Sequence, residues 1–368
     1  MNPFKYGCIV AGDFFCPRPL LEKELRRLVE SGQNVVIQGE RRMGKTSLVC
    51  EAVRKAKGWK LLYVDLLGIR SISDFCRKVT SSVSSLNRKR NFLVRVADLI
   101  HRLRPTLTID TLTGSPTISI DATASSTPDS LDDILDMVAA LAREERLCVV
   151  FDEFQDILNV ENANGILATM RGKIQFQPET PYIFLGSVRN KMSEMFTNSR
   201  SPFYKSAALF DIGRIDDADF KAFLSRRFKT GSRIVSDEIL NRILDIADRV
   251  SGDVQELCDA LWATTGKGTA ISESDIPIAL DLVFAREAKA YAPIVARLTD
   301  IQMRVLRGIA SLGGRQTLSK DFLRQTGVSN AGSVRKSILR MVELYVLYAR
   351  EDGYKLSNPF FGAWLLKN

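Results

Sequence analysis

The chain has 368 residues, of which 45% are hydrophobic and 26% are charged, and it carries a formal net charge of +9. This composition is typical of a globular protein of two to three domains and excludes disordered, collagen-like and disulfide-scaffold chains. No apolar run reaches the ~18 residues of a membrane helix. Six scattered cysteines and a single histidine exclude multi-histidine metal sites and predict a cytoplasmic protein with reduced thiols and no membrane partner.

Residues 1–214 alternate short apolar runs with helical patterns, which predicts an α/β domain with a mainly parallel five-stranded sheet. The candidate strands are 34–38, 61–65, 147–151, 182–186 and 208–212. We expect the strand at 147–151 to lie beside the strand at 34–38. Residues 105–121 alternate polar and apolar side chains around a Thr-Gly-Ser-Pro turn, and this pattern predicts an inserted β-hairpin.

A phosphate-binding motif follows the first strand. Residues 39–46, GERRMGKT, fit G-x-x-x-x-G-K-[ST] and precede a helical run, the strand–loop–helix context that the motif requires. Backbone N–H groups and the helix N-terminus would surround phosphate oxygens, while Lys45 would bridge the β- and γ-phosphates and Thr46 would ligate Mg²⁺. The other nucleotide-binding residues predicted here are Gly39, Arg41, Arg42, Met43, Gly44 and Ser47.

Polar residues end two further strands. The apolar run LCVVF precedes Asp152 and Glu153, which we expect to hold Mg²⁺ through its water shell and to polarise the attacking water, respectively. The strand at 182–186 precedes Ser187 and Arg189, which would orient the water and sense the γ-phosphate. Alternatively, Ser187 and Arg189 only cap the following helix.

The residues around this site favour ATP with Mg²⁺ over other nucleotide chemistry. The run 190–193, NKMS, is similar to the guanine-reading N-K-x-D motif, but Ser193 replaces the aspartate that would bind the base. The acidic strand also lacks the Asp-x-x-Gly of GTPases, and no acceptor site of a small-molecule kinase follows it. Arg200 is a candidate arginine finger acting across a subunit interface, with a surface arginine as the alternative.

After residue 214 the pattern is helical, and from about 296 it becomes that of a winged helix. Candidate helices at 216–228, 236–250, 253–264 and 274–290 precede shorter ones near 299–311, 319–325 and 330–344 and a tight hairpin at Asp352-Gly353. The predicted domains are therefore an ATPase core at 1–214, a helical lid domain at 215–295 and a winged helix at 296–368.

The winged-helix segment is strongly basic, with 12 Lys and Arg residues against 5 Asp and Glu residues over 296–368. Its longest helix has one apolar stripe, formed by Val334, Ile338, Met341 and Val342. The hairpin at Asp352-Gly353 would be the wing of this domain. The basic residues that lie off the apolar stripe or flank the wing are Arg335, Lys336, Arg340, Arg350 and Lys355. They would contact double-stranded DNA. The alternative is that the winged helix packs on the ATPase core or a partner protein.

Several stretches together carry a family resemblance: FFCPRPLLEKEL, GQNVVIQGERRMGKTSL, VVFDEFQDI and LSNPFFGAWL. The chain resembles the archaeal-type P-loop ATPase family, which is related to the STAND and origin-recognition AAA-type ATPases. The resemblance implies an AAA-like fold, ATP binding, slow hydrolysis and nucleotide-dependent rearrangement, and it places Arg18 near the nucleotide base. Two hypotheses follow. Either the nucleotide state controls how the winged helix meets DNA, or the chain is a STAND-like signalling switch that forms a homo-oligomer and uses its winged helix for autoinhibitory or partner-protein contacts.

Overall fold

A computed structural model describes residues 2–86, 105–109, 116–120, 128–187, 189–350 and 352–367. The chain divides into two compact units, one formed by Ile9–Gly213 and the other by Met1–Cys8 with Arg214–Asn368. The sequence pattern predicts the change at 214 but gives no sign that the first eight residues belong with the C-terminal unit. The separation of the helical domain from the winged helix at 296 stays a prediction.

The strands of the Ile9–Gly213 unit lie close to the predicted apolar runs. They are β1 (Val35–Gln38), β2 (Lys60–Asp65), β3 (Pro105–Ile109), β4 (Pro116–Ile120), β5 (Leu147–Asp152), β6 (Tyr182–Gly186) and β7 (Ala208–Asp211). Strands β3 and β4 pair antiparallel with each other, as the alternation over 105–121 predicts. The other five form a parallel sheet in the order β2-β5-β6-β1-β7.

The sheet order corrects one expectation. The acidic strand β5 does not lie beside β1, because β6 separates them: Phe184 of β6 pairs with Phe151 of β5 on one side and with Val36 of β1 on the other. Strand β6 is buried along its whole length, which its uninterrupted apolar run YIFLG reflects. The last residues of β5 and β6 and the residue that follows β1 therefore meet at the same edge of the sheet.

Helices and an aromatic cluster surround this sheet. The helices are α1 (Pro19–Glu30), α2 (Lys45–Lys55), α3 (Ile72–Leu86), α4 (Pro128–Glu144), α5 (Ala163–Ile174) and α6 (Arg189–Thr197), with short 3₁₀ turns at Gly12–Phe14 and Phe154–Asn159. The Phe184 ring lies 4.6 Å from Phe154 and 5.2 Å from Phe203 between ring centres. These contacts fix the start of the turn that carries Glu153 and its neighbours.

The C-terminal unit begins with four helices, α7 (Asp217–Lys229), α8 (Asp237–Ile246), α9 (Ser251–Thr264) and α10 (Asp275–Val295). Asp216 and Ser236 cap the first two through side-chain oxygens that accept from backbone N–H groups. The N-terminal residues join this unit, since Asn2 Nδ2 donates to Asp259 Oδ1 at 2.6 Å and the Phe4 ring lies 4.6 Å from Phe228.

The winged helix follows as α11 (Asp300–Leu312), α12 (Lys320–Thr326), α13 (Ala331–Glu343), β8 (Leu347–Arg350), β9 (Gly353–Leu356) and α14 (Pro359–Lys367). Ser319 and Asn330 cap α12 and α13, and Gly327 takes the left-handed conformation between them at φ 64°. The predicted apolar stripe of α13 is buried at Val334, Ile338 and Met341. Helix α14 is an element that the sequence reading missed.

The core of the winged helix reaches back into α10. Tyr291 is buried there among the winged-helix residues, with its ring centre 4.9 Å from that of Phe361 on α14. Within the described part of the chain, the helices are all too short or too polar to span a membrane.

Candidate functional site

The loop between β1 and α2 has the backbone geometry of a cradle. Gly44 takes a left-handed conformation at φ 81° directly before the first helical residue, Lys45, and Arg42 is left-handed at φ 63°. A Cβ atom on Gly39 would lie 2.6 Å from Cγ2 of Ile212, so only glycine fits there without a shift. The loop therefore turns sharply just before α2 and leads directly into the N-terminus of that helix.

Lys45 is held inside this loop. Its Nζ donates to the carbonyl oxygens of Gly39 and Glu40, both at 2.9 Å, and its side chain is buried. Burial lowers the pKa of Lys45, while the carboxylates of Glu153 and Asp152 act in the opposite direction. A buried ammonium between loop carbonyls and two carboxylates is placed to meet an incoming phosphate.

Thr46 and Asp152 meet as an oxygen pair. Thr46 Oγ1 donates to Asp152 Oδ2 at 2.6 Å, and Tyr63 OH donates to the same oxygen at 2.9 Å. Asp152 Oδ1 accepts from the backbone N–H of Glu153 at 2.8 Å. A hydroxyl oxygen beside a carboxylate is a donor set that Mg²⁺ prefers, so these residues fit a magnesium ion.

Tyr63 is a member of this site that sequence reasoning missed. It lies within β2, opposite Val150 of β5, and carries no motif of its own. Burial and the Asp152 carboxylate both raise the pKa of Tyr63, so the phenol stays protonated and remains a donor. The sequence signal is a single tyrosine among the apolar residues in the middle of β2.

Glu153 and Ser187 form the second pair. Ser187 Oγ donates to Glu153 Oε2 at 2.7 Å, and Gln155 Nε2 donates to the same oxygen. Arg41 Nε in turn donates to Ser187 Oγ at 3.4 Å. The hydroxyl at the end of β6 thus links the acidic turn after β5 to the loop after β1.

The remaining predicted residues differ in placement. Arg189 begins α6, but its side chain lies outside the described residues. Ser47 Oγ accepts from the backbone N–H of Val10 at 3.1 Å, so it fixes the N-terminal segment to α2. Arg41, Arg42 and Arg200 are exposed and Met43 is buried.

Arg18 lies beneath the loop and bonds to backbone carbonyls. Its guanidinium donates to Ile212 O at 2.7 Å, to Gly213 O at 3.0 Å and to Met43 O at 3.0 Å. Burial lowers the pKa of Arg18 to about 10, which leaves it charged at neutral pH. The backbone N–H of Arg18 donates to Glu22 at 2.7 Å, a buried acid that the sequence reading did not select.

The five basic residues of the winged helix fall into two sets. Arg335, Lys336 and Arg340 are exposed on α13, where Arg340 pairs with Glu343 at 2.9 Å. Arg350 and Lys355 of the wing both form ion pairs with Asp248, which follows α8. The two sets therefore differ in their surroundings, since the α13 residues are exposed and the wing residues pair with a partly buried carboxylate.

Comparisons with known proteins bear on this arrangement. Residues 289–367 match a family described as a probable winged helix domain. The structure is similar to the Walker-type ATPase PABY2304 of Pyrococcus abyssi, with a TM-score of 0.69 and 17% identity over 99% of each chain. The chain has the P-loop ATPase fold. This fold, with its parallel five-stranded sheet and C-terminal winged helix, is the predicted one.

Two origin-recognition proteins share the P-loop ATPase fold. The ORC2 protein of Aeropyrum pernix, solved in ADPNP–ADP complexes, has a TM-score of 0.55 and 14% identity over 95% of this chain and 90% of that chain. The ORC1 protein of Aeropyrum pernix, solved in complex with DNA, has a TM-score of 0.50 and 12% identity over 97% and 94%. No curated protein sequence matches this chain. The resemblance to archaeal P-loop ATPases is thus confirmed at the level of the fold.

Proposed function

We propose that this chain binds and hydrolyses Mg-ATP and that its nucleotide state changes its conformation. The observation that carries the proposal is a pair of hydrogen bonds at the same edge of the sheet: one joins Thr46 to Asp152, and the other joins Ser187 to Glu153. A buried lysine, a hydroxyl–carboxylate pair and a second, oriented carboxylate are the parts that phosphoryl transfer to water requires.

The loop and Lys45 would bind the phosphates of ATP. Thr46 would ligate Mg²⁺ directly and Asp152 would hold it through the water shell, while Tyr63 keeps Asp152 in place by donating to Oδ2. When bound, the metal supplies positive charge that offsets the negative charge of the phosphate oxygens. The ammonium of Lys45 would add a second positive charge.

Glu153 would act as the general base. Its carboxylate accepts a proton from the attacking water, the water oxygen bonds to the γ-phosphorus, and the bond to the β–γ bridging oxygen breaks to leave ADP and phosphate. Ser187 and Gln155 both donate to Oε2, so the carboxylate is oriented before the substrate arrives.

Two substitutions test these roles. Lys45→Ala should abolish ATP binding, whereas Glu153→Gln should keep ATP binding and lower turnover by roughly a hundredfold or more, because the amide cannot accept the proton. Binding is read with a fluorescent ATP analogue and turnover by phosphate release. Glu161→Gln, the same change at an exposed position, should match the wild type. A Glu153→Gln enzyme that hydrolyses ATP at the wild-type rate would show that another group is the base.

We also propose that the winged helix binds double-stranded DNA through Arg335, Lys336 and Arg340. Their exposure, the excess of basic residues over 296–368 and the similarity to a protein solved with DNA support this. Binding driven by phosphate neutralisation weakens with salt, and the triple-alanine variant should flatten the slope of log affinity against log salt by about 2.7. Absence of binding at low salt would rule out this part of the proposal.

One observation favours a second function, that of a STAND-like signalling switch. The wing residues Arg350 and Lys355 pair with Asp248 of the helical segment, which is a contact with protein. In this alternative, ATP drives homo-oligomer formation and DNA is not bound. Sedimentation with and without ATP, beside the DNA titration, distinguishes the two. Six free cysteines, four of them buried, support placing either function in the reducing cytoplasm.

A further inference from the structure

One carboxylate in the C-terminal unit gathers three cations. Asp248 lies in the turn after α8, in the left-handed conformation at φ 50°, and its side chain is only 15% exposed. Asp248 Oδ1 pairs with Arg214 at 3.1 Å and with Lys355, and Asp248 Oδ2 pairs with Arg350 at 3.3 Å. Two of these cations belong to the wing, and the third is the first residue after Gly213.

Three cations converge on the Asp248 carboxylate. Burial of Asp248 makes each pairing stronger than a fully exposed ion pair. Arg350 is further positioned by Tyr348, because its NH2 group donates to the phenol oxygen at 2.8 Å and its guanidinium lies 5.3 Å from the ring centre. The two wing cations are thus positioned around the two carboxylate oxygens of Asp248.

These ion pairs lie beside a cavity of about 810 Å³, which Asp248, Arg350 and Lys355 line together with apolar residues such as Ile276 and Leu366. The wing itself is held by Leu347 and Leu356, which are buried in the winged-helix core, so the ion pairs to Asp248 add to that packing without replacing it. Such a contact can open without disrupting the core of the winged helix.

We propose that Asp248 is an internal competitor for DNA: its carboxylate occupies the wing cations Arg350 and Lys355, and a DNA phosphate must displace it to bind them. This inference rests on the proposed DNA binding and adds a regulatory contact to it. When the wing cations move away, the Asp248 carboxylate is not left unpaired, because it remains paired with Arg214.

The test is Asp248→Asn in the full chain, with a fluorescent 20-base-pair duplex titrated over a range of salt. Asparagine has the same shape and tolerates the left-handed conformation, so the turn is retained. Removing the competing carboxylate from two cations should tighten binding roughly tenfold at low salt. Asp245→Asn is the matched control, because Asp245 pairs with Arg249 and not with the wing; it should bind like the wild type.

The outcomes separate this inference from the function beneath it. If the wild type binds DNA and Asp248→Asn binds no more tightly than Asp245→Asn, the internal competitor is refuted. If no variant binds DNA, both the proposed DNA binding and the proposed competition by Asp248 are refuted. Amide exchange over 347–356 then tests the contact itself: faster exchange in Asp248→Asn alone upholds a wing contact at Asp248, and unchanged exchange refutes that too.

Discussion

Ser187 shows how the order of strands decides what a single side chain can reach. Strand β6 lies between β5 and β1, so the hydroxyl after its last residue contacts Glu153 at 2.7 Å and Arg41 at 3.4 Å. If β5 lay directly beside β1, as we expected from the sequence, the Ser187 hydroxyl would not lie between the two strands. The observed order places the Ser187 hydroxyl between Glu153 and the loop after β1.

Removal of that hydroxyl should affect turnover more than binding. We expect Ser187→Ala to lower kcat by roughly ten- to a hundredfold while the affinity for ATP stays unchanged, because a hydrogen bond to a charged group contributes ~1.5–3 kcal/mol. The measurement is single-turnover hydrolysis with a parallel ATP titration. Ser187→Thr keeps the hydroxyl and should restore most of the rate. Equal loss of binding and turnover in Ser187→Ala would indicate a structural role for the residue.

The residues of the phosphate loop and the acidic turn were predictable because each lies in a local motif. Lys45, Thr46, Asp152 and Glu153 follow from spacing within a few positions of a strand end. Tyr63 was not predictable, because its contact with Asp152 depends on the pairing of β2 with β5 across 89 positions. A local sequence pattern is enough to predict residues within a motif. A side chain that reaches the site through strand pairing has no local pattern from which it could be predicted.

At the scale of elements, the N-terminal segment is tethered to the helix that follows the phosphate loop. The buried carboxylate of Glu51 on α2 accepts from the backbone N–H of Gly12 at 3.2 Å and pairs with Arg54 and Lys55. The hydrogen bond from Arg54 lowers the pKa of Glu51 to about 2. The folded state therefore stabilises the charged form of this side chain.

This predicts a pH-dependent contribution to stability. The pKa of Glu51 is lower in the folded state than its ordinary 4.5, so the stabilisation is complete above pH 4.5 and is lost as the pH falls towards 2. Glu51→Gln should lower the free energy of unfolding by about 2 kcal/mol at pH 7. Urea denaturation of both proteins at pH 7 and at successive steps below pH 4.5 measures this. A difference that does not shrink with acid would contradict the assignment.

Most elements with capping and turn signals were predicted, but α14 was missed even though Asn358 caps it by accepting from the backbone N–H groups of Phe360 and Phe361 and Pro359 is its first residue. Ser319 and Asn330 cap α12 and α13 as their side chains suggest, and the wing hairpin lies where Asp352 and Gly353 predict it, although Gly353 pairs with Arg350 as the first residue of β9. Helix α14 was missed because its nine residues are nearly all apolar and show no helical period. Its burial depends on Tyr291 of α10, a contact that sequence periodicity cannot show.

On the scale of the whole molecule, net charge overstates the basic surface open to DNA. The chain carries +9 overall, and the winged-helix segment has seven more basic than acidic residues. Of its five predicted DNA-binding residues, two pair with Asp248, 102 and 107 positions earlier in the chain. Composition counts charges, whereas only the fold reveals which of them already have partners.

We propose that one chain both hydrolyses ATP and binds DNA through its winged helix. Steady-state ATP turnover of the wild type, with and without a double-stranded DNA of 20 base pairs, tests it most directly, with Lys45→Ala as the blank. We expect the wild type to hydrolyse ATP faster than the Lys45→Ala blank, and we expect duplex DNA to increase this rate. Turnover equal to that of Lys45→Ala in both conditions would contradict the hydrolysis, and turnover that DNA leaves unchanged would contradict the coupling.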